Sequence, residues 1–487
     1  MNTKLLKQKI LDLAIRGKLT QQLEGDGAAA DLLKQISEQK RESSSTLSSP
    51  RRRGSPSAQS EKTIIPLDKK EAPFEIPANW EWVRLGDLCS KFSTGPFGTM
   101  LHKEDYVLEG GVPLVNPTNL QDGVIESDKI KLVKLEKYES LRPYILETND
   151  IVLARRGDLS KCAVVSENEN LWLAGTGAFF LKLILVDVRF FTRLYRTSFV
   201  QSYLVADSIG STMDNLNQTT LGNLPVPLPP LAEQRRIVEK IQEAFAEIDS
   251  IENNKELLKT HIKQARQKIL DLAIHGKLVP QNKTDEPASV LLERITRDNP
   301  HYEKIEDEPF EIPENWVWCT LGNLSESIQY GYNAPAKDSG RIKMVRISDI
   351  HENEVEWDSV PYCDIDEKEI QTYLLKKNDI LFARTGGTVG KSFIVSNLPE
   401  DAVYAGYLIR TRYGKKANAQ YMKYFMESNL YWEQLRDGCI ATAQPNCNGK
   451  TLGKMKIPLP PLNEQSRIVA KIEELFSTLD QMERNLV

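Results

Sequence analysis

Two short stretches of this sequence hold residues that could do chemistry on nucleotides. Gly386-Gly387-Thr388-Val389-Gly390-Lys391-Ser392 approaches the GxxxxGK[ST] loop, in which backbone amides and a lysine surround phosphate oxygens. The spacing fails by one residue, because the first glycine should stand where Thr385 does. A related stretch, Gly157-Asp158-Leu159-Ser160-Lys161-Cys162, lacks the second glycine. Both retain a glycine turn that aims a lysine, Lys161 or Lys391, at a phosphate. Ala174-Gly175-Thr176-Gly177 imitates a glycine-rich cofactor loop, but its relative Ala405-Gly406-Tyr407-Leu408 has lost the second glycine. The sequence contains no Asn-Pro-Pro-aromatic methyltransferase motif, no G-x-S-x-G elbow and no HExxH helix. Asp366-Glu367-Lys368 resembles a nuclease motif, yet chance supplies such triplets at 27% charged residues. Six cysteines without a CxxC pair and five scattered histidines give no zinc spacing, so free, packed thiols in a reducing cytoplasm are expected.

The elements that must position these loops occur twice. KILDLAIRGKL from Lys9 returns as KILDLAIHGKL from Lys268, and FEIPANWEWVRLGDL from Phe74 returns as FEIPENWVWCTLGNL from Phe310. NDIVLARRG from Asn149 returns as NDILFARTG from Asn378. LGNLPVPLPPLAEQRRIVEKI from Leu221 returns as LGKMKIPLPPLNEQSRIVAKI from Leu452. Four blocks in one order mean duplication. The offset drops from 259 to 236 between the first two blocks, which places an insertion of 23 residues between Ile36 and Phe74. That insertion is rich in Ser, Pro and Arg and nearly devoid of apolar residues, so it cannot build a core and reads as a disordered linker, with Arg51, Arg52 and Arg53 solvated.

A heptad seam runs from Ile237 and Ile241 through Ala244, Ile248, Ile251, Leu258, Ile262, Ala265, Ile269 and Leu272, broken only at Lys255. The C-terminal segment carries Ile468, Ile472, Leu475, Leu479, Met482 and Leu486, and the N-terminal segment Leu6, Ile10 and Leu13. Pro229, Pro230, Pro460 and Pro461 mark helix starts, while Gly17 and Gly276 mark helix ends. A central helix of about 45 residues would span about 65–70 Å, close to two turns of B-DNA.

The expected fold is α/β: two similar mixed α/β domains separated by long antiparallel coiled-coil helices, pseudo-twofold and circularly organised. The boundaries are an N-terminal helical segment (1–36), a flexible linker (37–73), the first domain (74–228) and a central helical spacer (229–296). A linker (297–309), the second domain (310–459) and a C-terminal coiled-coil helix (460–487) follow. The 487 residues, 40% of them hydrophobic, suffice for about three packed domains. A net charge of −5 argues against a general coat of positive charge and leaves room for local basic patches. No apolar run approaches the roughly 20 residues of a membrane span, and the N-terminus lacks the apolar core of a secretion signal.

Several residues suit reading a nucleic acid rather than cutting it. Arg155, Arg156 and their counterpart Arg384 follow an apolar strand and open a glycine turn. Arginine there can fork onto guanine, clamp a phosphate, or pair with a nearby acid. Gly95, Phe97 and Gly98 in one domain, and Tyr332 and Asn333 in the other, occupy the loop after the first strand; the aromatic rings could pack on a base or merely shape a turn. Lys103, Asn116 and Arg346, which matches Asn116, are further candidates. Asn215 and Asn217, matched by Asn446 and Asn448, could read adenine edges, though turn formation is the plainer role. Trp80, Trp82, Trp316 and Trp318 sit at period two and read as core walls. The run Lys129, Lys131, Lys134 and Lys137 faces an acidic counterpart and reads as solvated, with a phosphate role in the first domain alone.

The PxNWxW opening, the D-I-V/L-x-A-R-x-G strand and turn, the N-x-N before LG, and the PLPPLxEQxRIVxKI helix start resemble type I restriction-modification specificity subunits. The likeness covers nearly the whole chain and occurs twice within it. It implies that each α/β domain is a target recognition domain reading one half of a bipartite, asymmetric double-stranded DNA site. It implies a non-catalytic, cytoplasmic subunit without cofactor, S-adenosylmethionine and ATP belonging to partners. By the same resemblance the helices, with Ile237, Ile241, Ile248, Ile262, Ile269, Ile468, Ile472, Leu475 and Leu479, set the spacer and dock two methyltransferase subunits. ATP-driven restriction subunits join through these. The loops at 95–98 and 330–333 would face DNA.

Overall fold

The computed structural model describes residues 2–46, 64–68, 70–121, 123–208, 216–297, 302, 305, 307–351, 353–440 and 446–486. They fall into two compact units, Met1–Asn253 and Asn254–Val487. The boundary lies inside one helix, Leu231–Ile274, whose 44 residues span about 66 Å.

In the first unit, the strands Cys89–Thr94, Ala178–Leu183, Ile151–Ala154 and Cys162–Val164 form an antiparallel sheet in that order. A second sheet runs Leu173–Ala174, Val112–Val115, Lys131–Val133 and Tyr106–Val107, its first pair parallel. The second unit repeats the first sheet with Ser327–Tyr330, Leu408–Arg412, Ile380–Ala383 and Ser392–Ile394. Its other sheet is Tyr362–Cys363, Ile342–Val345 and Ala402–Tyr404. Both units are mixed α/β, as the strand-length apolar runs imply.

The helical segments are part of each unit's core. Leu11, Ala14, Leu32, Leu33 and Ile36 share one cluster with Trp80, Phe179, Leu181, Ile237 and Ile241. Leu270, Ile274, Leu291, Ile468 and Ile472 do the same with Trp316 and Ile409. Residues 1–36 therefore pack within the first unit rather than standing as a separate helical region. The helix Ala29–Thr46 continues ten residues into the stretch assigned to the linker, because Ile36 and Ser37 are still buried. Within the spacer assigned to 229–296, the long helix has 44 residues and ends at Ile274, matching the expected length of about 45, and Ala288–Thr296 forms a second helix. The heptad seam is not continuous, since Ile248 and Ile262 are buried while Ile251 and Leu258 are 51% and 41% exposed. Arg51, Arg52 and Arg53 lie outside the described residues.

Within the first unit the helix Thr3–Ala14 runs antiparallel to the start of the long helix, with Thr3 donating to Glu252 at 2.9 Å and Lys7 paired with Asp249. In the second, Arg266 pairs with Asp480 on the C-terminal helix Leu462–Arg484. The helix ends turn at Gly17 (φ 64°) and Gly276 (φ 67°), where a Cβ would meet Pro77 or Pro313 at 2.3 Å. Only glycine suits both the left-handed conformation and that approach.

The PLPPLxEQxR motif is a set of ties. Trp80 Nε1 donates to the buried Glu233 at 2.8 Å, and Gln22 donates to its other oxygen at 2.6 Å. Gln234 donates to Pro229 at 2.9 Å and accepts from the Asp187 amide at 2.9 Å, while Arg236 pairs with Asp26. The second unit repeats this except for the tryptophan bond, Trp316 Nε1 having no hydrogen-bond partner among the described residues: Gln281 donates to Glu464 at 2.6 Å, Gln465 bonds Pro460 and Asn418, and Arg467 pairs with Asp285 at 2.7 Å. A buried polar group is stable only with such partners. The four tryptophans are at most 5% exposed, matching their reading as core walls. Burial also pushes the Cys89 and Cys162 thiols up to about 12.

Candidate nucleic-acid interface

Register gathers the candidate residues at one end of the first sheet in each unit. Thr94 pairs with Phe179 and Ala154 with Ala178, so the loops after Thr94, before Ala178 and after Ala154 leave from the same sheet end. In the second unit Tyr330 pairs with Ile409 and Ala383 with Leu408. Backbone bonds tie the loops together. Gly95 donates to Ala178 and Arg155 to Gly177, both at 2.9 Å; Gly175 donates to Val115 at 2.8 Å, and Leu216 to Arg155 at 3.1 Å. The counterparts are Gly331 to Leu408 at 3.0 Å, Arg384 to Tyr407 at 3.2 Å, Ala405 to Val345 at 3.0 Å and Cys447 to Arg384 at 2.9 Å.

Gly95 is buried, and a Cβ on it would stand 1.8 Å from the Gly175 carbonyl; at Gly331 the Ala405 carbonyl would be 2.2 Å away. These glycines let two backbones cross, which presents the loop beyond. There Phe97 is 63% exposed, with Gly98 beside it, and in the second unit Tyr332 is half-buried and Asn333 exposed. Gly175 is a crossing point too, with Asn116 Oδ1 2.4 Å from a Cβ on it. The glycine-rich loop thus packs against the second sheet.

The GxxxxGK-like stretch is a strand-turn-strand. Gly386–Thr388 makes a short 3-10 turn, Ala383 donates to the Lys391 carbonyl at 2.9 Å, and the chain continues into the strand Ser392–Ile394. A phosphate-binding loop needs a helix there. Lys161 is half-buried and Lys391 exposed, each at the end of its turn. Arg156 is exposed. Ser160 donates to Asp158 through hydroxyl and amide, at 2.5 and 3.0 Å, which holds that carboxyl below the usual range.

Other candidates have local duties. Asn217 and Asn448 cap short helices, accepting from Thr220 at 2.7 Å and Thr451 at 2.9 Å. A bidentate adenine contact needs both the oxygen and the amide, and the cap holds the oxygen. Asn446 is exposed, in a bridge with Thr385; Asn215 lies outside the described residues. Asn116 donates to Leu114 at 3.3 Å. The Arg346 fork closes on the buried Asp349 three residues on, at 2.7 and 3.2 Å. Lys103 is exposed beside the edge strand Tyr106–Val107 of the second sheet, outside this loop cluster. In the basic run, Lys137 pairs with Asp105 and Lys131 lies over the Tyr106 ring.

Sequence reasoning took Tyr330 only as the first residue of the 330–333 loop and passed over Tyr407. Tyr330 is 40% exposed beneath the Arg384 guanidinium, and Tyr407, whose carbonyl takes the Arg384 amide, is 65% exposed. The signal was available: Tyr407 stands in the loop set aside once its glycine spacing failed. The docking candidates are also placed differently. Ile237, Ile241, Ile468 and Ile472 lie in the cores of their own units; Ile248 and Ile262 are buried; Ile269, Leu475 and Leu479 are half-buried. Large apolar side chains exposed on these helices are Leu5, Leu6, Ile251, Leu257, Leu258, Leu462 and Met482. Among the described residues no group of histidine, cysteine and acidic side chains could hold a metal ion, and no helix is long and apolar enough to cross a membrane.

Two units, each with this loop cluster, coincide with two matches to the family described as the type I restriction modification DNA specificity domain, at residues 77–260 and 313–486. This chain belongs to that family. Among its relatives, the EcoAI specificity subunit of Escherichia coli is 24% identical, over 98% of this chain and 90% of the relative. The EcoKI specificity subunit of Escherichia coli K12 is 25% identical over 78% and 79%. The MjaVIII specificity subunit of Methanocaldococcus jannaschii is 23% identical over 84% and 88%. The crystal structure of the HsdS subunit from Thermoanaerobacter tengcongensis shares the fold, with a TM-score of 0.54, 20% identity, and coverage of 86% and 94%. This specificity-domain chain therefore carries its family's domain twice, each copy reaching into the helices, in agreement with the continuous cores.

Proposed function

We propose that this chain is the DNA-reading subunit of a type I restriction-modification complex. Each unit reads one half of a bipartite, asymmetric double-stranded site. The helices fix the spacer and dock two methyltransferase subunits, through which restriction subunits join. S-adenosylmethionine and ATP belong to those partners. One observation carries the reading: the same sheet end in both units presents different side chains, with Phe97 and Arg156 in the first, and Tyr330, Asn333 and Tyr407 in the second. A common scaffold with unlike loops suits unlike half-sites.

The test is the methylome of a host carrying this chain with its methyltransferase. One bipartite adenine-methylation motif is expected, and replacing residues 74–228 by those of another family member should change one half alone. An unchanged motif, or one changed in both halves, would rule the reading out.

A further inference from the structure

Arg155 and Arg384 have the same backbone setting and different side-chain settings. Arg155 Nε donates to the Leu216 carbonyl at 3.3 Å, and its guanidinium lies 5.6 Å from the centre of the wholly buried Phe179 ring. Arg384 lies 4.8 Å over the Tyr330 ring instead, and its buried Nε has no hydrogen-bond partner among the described residues. The aromatic platform has changed strand. The cross-strand pair is Thr94 with Phe179 in the first unit and Tyr330 with Ile409 in the second. The ring has thus moved from the buried central strand to the exposed edge strand. The Tyr330 hydroxyl accepts from the Gly449 amide at 2.8 Å, which fixes the ring.

A stacked guanidinium keeps its plane, and its donors stay directed outward. In the second unit Arg346 is committed to Asp349, and Lys391 offers a point charge rather than a fork. We infer that Arg384 reads a guanine in the second unit's half-site by a bidentate contact to O6 and N7, with Tyr330 as its positioning residue. This rests on the DNA-reading role proposed above. The unpartnered Nε fits a side chain whose best arrangement is reached on DNA rather than in the free chain.

The experiment measures modification rates by the assembled methyltransferase complex on duplexes in which each recognised base pair is replaced in turn. Arg384→Lys keeps the charge and loses the fork. It should lower the preference for G·C at one position by about 10- to 100-fold and leave the other half-site untouched. Retained discrimination in that other half shows that the complex is folded. Tyr330→Leu should relax the same position, whereas Tyr330→Phe, which keeps the ring, should retain most of the preference. Unaltered discrimination in both Arg384→Lys and Tyr330→Leu, as a phosphate contact or a structural role would give, overturns the proposal. So does relaxation at unrelated positions by the two variants. A wild-type complex without bipartite discrimination overturns the DNA-reading role itself, and this inference with it.

Discussion

The Arg236 guanidinium closes on the Asp26 carboxylate from 210 positions further along the chain, and Arg467 repeats the contact on Asp285. The pair joins the segment after the first helix to the start of the long helix. Arg236→Ala should therefore loosen that segment and cost about 2 kcal/mol, measured as chemical denaturation of the full chain. Arg467→Ala should do the same in the second unit.

The acid limb of stability should have two opposed components. The bond from Arg236 holds Asp26 below the usual value of 3.8, so its stabilisation is complete above 3.8 and fades as pH falls through the lower, folded value. Burial raises Glu464 above 4.5, so its contribution is greatest below 4.5 and declines as pH rises through the folded value. Glu464→Gln should abolish that decline. Melting temperatures of variant and wild type from pH 4 to 7 check the sign: the variant should gain relative to wild type as pH rises.

Gly95→Ala should be far more damaging than an ordinary surface substitution. The Cβ would stand 1.8 Å from the Gly175 carbonyl, and neither backbone can yield cheaply. A loss of about 3 kcal/mol is expected, read as a lowered denaturation midpoint. Gly331→Ala should behave likewise against the Ala405 carbonyl.

Asn217→Ala and Asn448→Ala separate a cap from a base contact. Losing the cap should cost about 1 kcal/mol each, a shift of roughly 2–4 °C in melting temperature. The methylated motif should stay the same. A changed motif would mean that the asparagine reads bases in addition to capping.

Phe97→Ala and Tyr407→Ala should show the opposite pattern. Both side chains are largely exposed, so stability should move by less than about 0.5 kcal/mol. Binding of the assembled complex to its site should weaken about tenfold, measured by titration with a labelled duplex at fixed salt.

Much of the fold could be read from the sequence because duplication exposes it. Blocks such as PLPPLxEQxR recur because Glu233, Gln234 and Arg236 each hold a different segment. Gly17 and Gly276 were readable from helix-end chemistry alone. The reach of Ala29–Thr46 was not, because its last turns follow a short apolar patch into polar sequence. The break in the heptad seam at Ile251 and Leu258 was equally hidden, since burial depends on what a helix meets. At the interface, the strand-to-turn positions of Arg155 and Arg384 were legible. The ring beneath each arginine was not, because register brings it from another strand of the sheet, the adjacent one for Arg155 and the edge strand beyond that for Arg384. The commitment of Arg346 to Asp349 was visible at spacing three and is decided by the burial of the acid.

The ties at Asp26 and Glu233 have a consequence for the order in which the protein is made. At about 5–20 residues per second, Asp26 leaves the ribosome roughly 10–40 s before Arg236 exists to hold it. Through that interval the helices bearing Leu11, Leu32 and Ile36 wait with their apolar faces uncovered by the long helix. The second unit repeats the delay, because Asp285 waits for Arg467 across 182 positions. Each unit thus closes only when its last helix is synthesised, which makes nascent chains halted before residue 231 or 462 natural clients for chaperones that bind exposed apolar helices.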